Sequence, residues 1–229
     1  MMKKMLLLLP FLASLSGFPL DANAGPQLMV TPISIKVFNQ HEQRVSVRNT
    51  GDAPLYLSIS LAKVDNPGAA QEHKTLISQL PHPELMATPD KLTLGPNQSR
   101  DILLTSLQEP ANETVYRLYV VPVKSLSISG APDNKITAPL TLSVGYGVLI
   151  RHLPAPANQR SVLEHRCRAS EITLLNSGNV RLLLRQVKAG SSQTSLPDVL
   201  ALFPGMPQTL KTRMLTADLD GKRVEIACP

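Results

Sequence analysis

Apolar and polar residues alternate with a period of two along most of this chain, and no window of about 11 residues or more shows helical periodicity. Such a pattern confines the chain to strands that bury alternate side chains, an all-β fold. The expected strands are Leu28 to Phe38, Arg44 to Arg48, Leu55 to Lys63, Lys91 to Leu94, Ser99 to Thr105, Thr114 to Val123 and Leu140 to Arg151. Turn residues separate them, as in Asn49-Thr50-Gly51-Asp52, Asn66-Pro67-Gly68, Gly95-Pro96-Asn97 and Ser129-Gly130-Ala131-Pro132. Short strands with frequent turns fit an immunoglobulin-like sandwich of two antiparallel sheets.

A stiff, extended connection follows at His152 to Asn158, where Pro154 and Pro156 alternate with Ala155 and Ala157. Beyond it the expected strands are shorter: Ala169 to Leu175, Val180 to Lys188, Val199 to Phe203, Gln208 to Leu215 and Arg223 to Cys228. A weak internal repeat supports a second sandwich, because Val45 to Gly51 resembles Ile172 to Gly178, each an apolar strand running into Asn-x-Gly. The division expected is 25–153 for a first immunoglobulin-like domain and 154–229 for a smaller β-sandwich. Aromatic residues are 3% with no Trp, so both cores should be aliphatic, and modules that stack nucleic-acid bases are disfavoured.

Residues 1–24 read as an export signal: Lys3 and Lys4, an apolar run from Met5 to Leu15, and the small-x-small triplet Ala22-Asn23-Ala24. No other segment approaches the ~20 apolar residues of a membrane helix, so no membrane insertion is expected. In an oxidising compartment the two cysteines, Cys167 and Cys228, are expected to pair. The net charge of +6 comes from scattered Lys and Arg with no basic run, and no nucleic-acid partner is expected.

The sequence carries no catalytic motif: there is no Gly-x-Ser-x-Gly, no His-Glu-x-x-His and no phosphate loop, and the histidines at 41, 73, 82, 152 and 165 are dispersed. His165-x-Cys167 alone is a weak metal signal. The expectation is a protein that is not an enzyme and needs no metal or cofactor. The more informative segment is 140–151, where Leu140, Leu142, Val144, Tyr146 and Val148 share one face. A half-buried strand has this alternation, and so does a strand offered to another chain.

The chain resembles the PapD-like periplasmic chaperones of the chaperone–usher pilus pathway over nearly its whole length after the signal. The resemblance rests on Thr31-Pro32-Ile33-Ser34, Val47-x-Asn49-Thr50-Gly51, Ala87-Thr88-Pro89 with Leu92-x-Leu94-x-Pro96, Val115-Tyr116-Arg117-Leu118-Tyr119, Val148-Leu149-Ile150-Arg151 and Asn176-Ser177-Gly178-Asn179-Val180-Arg181. Tyr-Arg-x-Tyr and Leu-Ile-Arg-x-Leu-Pro are most similar to the branch serving colonisation-factor-type pili. The resemblance implies two immunoglobulin-like domains in an L or boomerang arrangement, and a periplasmic chaperone that donates strand 140–151 to pilin subunits and delivers them to an outer-membrane usher. It also implies basic residues that anchor the pilin's terminal carboxylate. The family's last-strand lysine falls on Leu149, so the candidates are Arg151 first, then Arg117 and Lys36. The position of the family's interdomain arginine is Leu153, so its buried interdomain ion pair is not carried over. A free chain capping itself as a homo-oligomer stays open. An exported structural pilin or adhesin is the alternative, disfavoured because the last sandwich strand is in place.

Overall fold

The computed structural model describes residues 25–123, 144–190 and 195–229. The expected signal, 1–24, and the expected strand residues Leu140 and Leu142 lie outside the described residues.

In chain order the first strands are β1 (Leu28–Thr31), β2 (Ser34–Phe38), β3 (Gln43–Asn49), β4 (Leu55–Val64), β5 (Lys74–Leu76), β6 (Leu85–Thr88), β7 (Lys91–Leu94), β8 (Ser99–Ser106), β9 (Thr114–Pro122) and β10 (Tyr146–Leu153). They form a four-stranded sheet, β1-β3-β8-β6, facing a six-stranded sheet, β2-β10-β9-β4-β5, with β7 also on β4. Alternate residues of each strand meet in an aliphatic core: Val45 and Val47, Leu57, Ile59 and Leu61, Ile102 and Leu104, Leu118 and Val120, Val148 and Ile150. The expected single strand Leu28 to Phe38 is two strands in different sheets. Pro32 lacks the N–H that a continuous ladder would use, and the chain changes sheet there, so that β2 runs parallel to β10. The expected strand 140–151 is described from Tyr146 and continues two residues past Arg151 to Leu153.

The second sandwich contains β11 (Leu163–Arg168), β12 (Glu171–Asn176), β13 (Leu182–Ala189), β14 (Val199–Leu202), β15 (Gln208–Leu210), β16 (Met214–Leu219) and β17 (Lys222–Ala227). Its sheets are β11-β12-β15 and β14-β13-β16-β17. They enclose a separate core that includes Ile172, Leu174, Leu182, Leu184, Leu202 and Ile226. The Cys167–Cys228 disulfide joins the edges of these two sheets, with Cα atoms 5.6 Å apart. Closing a loop that spans 61 positions of sequence is worth roughly 4 kcal/mol in the chain-entropy account.

The internal repeat is a shared piece of turn chemistry. Asn49 is fully buried; its Oδ1 accepts from Gly51 N–H at 3.1 Å and its Nδ2 donates to the carbonyl of Ala53 at 2.7 Å. Asn176, equally buried, accepts from Gly178 N–H at 3.0 Å and donates to the carbonyl of Val180 at 2.8 Å. In each sandwich the N-terminal segment crosses the turn, so a Cβ on Gly51 would collide with the Gly25 carbonyl, and one on Gly178 with that of Arg160. The asparagine satisfies carbonyls that water cannot reach, each costing about 1–3 kcal/mol if left unpaired.

At the end of β10, His152 is fully buried, and its Nε2 lies 2.8 Å from Ser106 Oγ on the opposite sheet. Burial holds its pKa down to about 4. The unfolded chain takes up the proton near the ordinary histidine value while the folded chain does not. The stabilisation is therefore complete above about pH 6.5 and is lost as pH falls from there toward 4, amounting to about 3 kcal/mol. Chemical denaturation at stepped pH should show this loss in the wild type and not in His152→Gln; parallel pH profiles would contradict it.

Candidate functional site

Because Val148, Ile150 and His152 point into the core of the first sandwich, Leu149 and Arg151 point to the outer face of the six-stranded sheet. Register then fixes their neighbours. Leu149 lies between Ser34 and Arg117, and Arg151 between Lys36 and Val115. Residues side by side in paired strands face the same way, so the three cations nominated by the sequence, Lys36, Arg117 and Arg151, share this one face.

Part of the same face is covered by the second sandwich. Val64, Val115 and Phe203 form a buried cluster, with Leu149, Ala201 and Met206 against it. The Asn66-Pro67-Gly68 turn reaches this cluster; Gly68 adopts φ +87°, and a Cβ there would come within 3.1 Å of the Phe203 ring. The face thus becomes a cleft wall, apolar where the two sandwiches meet and cationic beside that contact.

Arg151 is committed to a structural partner. Its Nε and Nη2 donate to the two carboxylate oxygens of Glu113 at 2.5 and 2.7 Å, and the Glu113 side chain is completely buried. The same carboxylate accepts from the Arg181 backbone N–H at 2.7 Å, while Glu113 N–H donates to the Asn179 carbonyl at 2.7 Å. Asn179 continues the network, donating to the carbonyls of Asn158 and Ala111 and accepting from Arg160 N–H. Glu109 accepts from Ala155 N–H and Asn158 Nδ2, both at 2.9 Å. The buried Arg151–Glu113 pair lies within the first sandwich, and the Glu113 carboxylate and N–H carry the bonds that cross to Arg181 and Asn179 of the second. The Arg181 guanidinium lies close by, its pKa lowered by burial and next by Arg151.

Arg117 has a looser environment. Its Nη2 donates to Glu72 Oε1 at 2.7 Å and its Nε to Oε2 at 3.3 Å, with side-chain exposures of 29% and 24%. The Arg117 guanidinium is the first cause of a lowered Glu72 pKa. Lys36 is exposed.

The edges of β10 differ along its length. Against β9 it is paired from Tyr146 to His152; against β2 it is paired only from Leu149 to Leu153. From Tyr146 to Val148 the second edge carries no strand among the described residues. Two exposed apolar residues flank that opening, Val144 at 66% and Ile33 at 69%. Of the row expected to face a partner, Tyr146 is half-buried, whereas Val148 is sealed in its own core and not available to another chain.

Among the described residues no helix is long and apolar enough to cross a membrane, and no group of three or more His, Cys, Asp or Glu is placed to hold a metal. Sequence inspection missed Glu113, Glu72, Glu109 and Asn179. Nothing local marks the carboxylates; the Asn-Ser-Gly-Asn turn was the one visible hint, since its second asparagine makes the interdomain bonds.

No family model matches the chain. It is 33% identical over 180 residues to a protein of Escherichia coli that bears the name of a CFA/I fimbrial subunit, covering 77% of this chain and 73% of that one. A solved chain of the chaperone–tip adhesin complex of CFA/I fimbriae biogenesis superposes with a TM-score of 0.68 at 26% identity, covering 88% of this chain and 98% of that chain. The class 5 fimbriae chaperone CfaA superposes at 0.66 with 24% identity, covering 89% and 99%.

The Glu113 contact has a measurable consequence. Removing one member of a buried pair leaves the other charged and dry, so Arg151→Ala should lower the unfolding free energy by about 3 kcal/mol. Urea denaturation reads this directly, and a loss below about 1 kcal/mol, the range of an exposed pair, would contradict the burial argument.

Proposed function

The chain belongs to the PapD-like fimbrial chaperones, in the branch of colonisation-factor-type fimbriae, and on that premise we propose that it stabilises pilin subunits by lending them the strand 140–151. The carrying observation is the half-open edge of β10, closed by β2 from Leu149 onward and open from Tyr146 to Val148. A pilin strand laid along the open edge would complete the ladder by main-chain hydrogen bonds. Leu140, Leu142 and Val144, upstream on the row that ends in buried Val148, would fill the pilin's open groove. Burying such side chains yields on the order of 5 kcal/mol before association costs.

The Escherichia coli relative bears the name of a fimbrial subunit, and that reading is weaker here for a structural reason. A pilin that borrows a strand leaves its own sandwich unfilled, whereas here β10 closes the first sandwich between β9 and β2. The remaining assignments follow from the proposed role: export by residues 1–24 into the periplasm, a first domain at 25–153, a second at 154–229, handover to an outer-membrane usher, and no catalysis.

For the carboxylate anchor we assign Arg117 with Lys36, and give Arg151 the task of holding Glu113. Arg117 is partly exposed in the cleft wall, and its present carboxylate partner is not sealed from water.

Co-expression with the cognate pilin tests the role. Changing Leu140, Leu142 and Val144 together to Ser should weaken capture by about a thousandfold, given roughly 1.5 kcal/mol for each lost apolar side chain. The pilin should then no longer co-purify. Undiminished co-purification would remove the strand-lending reading.

A further inference from the structure

Two arginine–carboxylate pairs sit on the outer face of the six-stranded sheet, and they are built differently. Glu113 is fully buried, holds Arg151 through both oxygens and accepts a third bond from Arg181 N–H. Glu72 holds Arg117 through both oxygens too, yet both side chains are about a quarter exposed. The first pair cannot be opened without stranding a dry charge; the second can exchange one carboxylate for another at little cost.

Glu72 is also held firmly in place. It belongs to the loop between β4 and β5, whose ends are joined by the bond from Asp65 N–H to the His73 carbonyl at 2.9 Å. Within the loop Asn66 clamps both neighbours of Glu72: its Nδ2 donates to the Gln71 carbonyl at 2.9 Å and its Oδ1 accepts from His73 N–H at 2.6 Å. Thr75 Oγ1 donates to Asp65 at 2.9 Å, and Lys74 Nζ stands 3.4 Å from Glu72. An ordered loop therefore sets a carboxylate on the cation assigned to the pilin's terminus.

We infer that Glu72 is an intramolecular stand-in for a partner's terminal carboxylate, occupying Arg117 in the free chain and displaced when the partner binds. This rests on the anchor assignment made above for Arg117. The stand-in keeps the guanidinium oriented and neutralised while the cleft is empty, and it subtracts from the binding free energy, which keeps capture reversible. A carboxylate that stays in place as a permanent buttress would have the opposite effect on affinity, so the two roles separate by sign.

The experiment uses the full chain without residues 1–24, as wild type and as Glu72→Gln, which retains the side-chain shape. The probes are two synthetic peptides, both acetyl-Thr-Val-Thr-Val, one ending in a free carboxylate and the other in an amide. Binding is followed by the NMR signal of the Arg117 Nε–H. Removing an internal competitor should tighten binding of the free-acid peptide by about three- to tenfold and leave the amide unchanged. Unchanged or weaker binding of the acid by Glu72→Gln, with the wild type still preferring acid over amide, would overturn the stand-in and leave the anchor standing. If neither chain prefers the acid, the anchor assignment falls and the stand-in falls with it.

Discussion

The structure depends on one desolvated carboxylate. Glu113 sits on the approach to β9, receives the Arg151 guanidinium from β10 and the Arg181 amide from the second sandwich, and is out of contact with water. A charge so placed is tolerable only while all these donors stay aligned, since breaking the set leaves it buried and unpaired. The last strand of the first sandwich, the linker and the Asn179 turn are thereby fixed against one another. Phe203 and Met206 add a non-directional apolar contact to the same junction.

That junction decides what the outer sheet face can do. With Arg151 committed, the cations nominated by the sequence that are left on this face are Arg117 and Lys36, on the strands either side of β10. Their strands hold the closed half of β10, while its open half begins at Val148 and runs toward Val144. A partner laid along the open edge would therefore meet the cationic wall where β2 takes over the pairing. Charge would set the register of such a partner, and main-chain bonds with apolar side chains would supply most of the affinity.

Much of the fold was legible in the alternation of residues, because a strand with one face in a core repeats every two positions whatever its neighbours are. The failures are equally physical. Within Leu28 to Phe38 the apolar positions change phase, from Leu28 and Val30 to Ile33, Ile35 and Val37, and that slip together with the missing N–H of Pro32 marks the change of sheet. Lys74 to Leu76 and Leu85 to Thr88 are too short to show a period, and β11, Leu-Glu-His-Arg-Cys-Arg, is an edge strand exposed along nearly all its length. The cations of the site were nominated through the family resemblance, which implies basic residues that anchor a terminal carboxylate. Their order of preference could take no account of Glu113 and Glu72, which reach Arg151 and Arg117 across 38 and 45 positions of sequence. No local pattern encodes contacts of that separation, so Arg151 looked free when it is the most tightly held of the three.

Amide hydrogen exchange along 140–153, in the free chain and in its complex with a captured pilin, tests the lent edge most directly. The account predicts that amides from 149 to 153 are protected in both states, since β9 and β2 already flank them, and that between 140 and 148 the amides not bonded to β9, Gly147 among them, gain protection in the complex. Exchange between 140 and 148 that is identical with and without the pilin would contradict it.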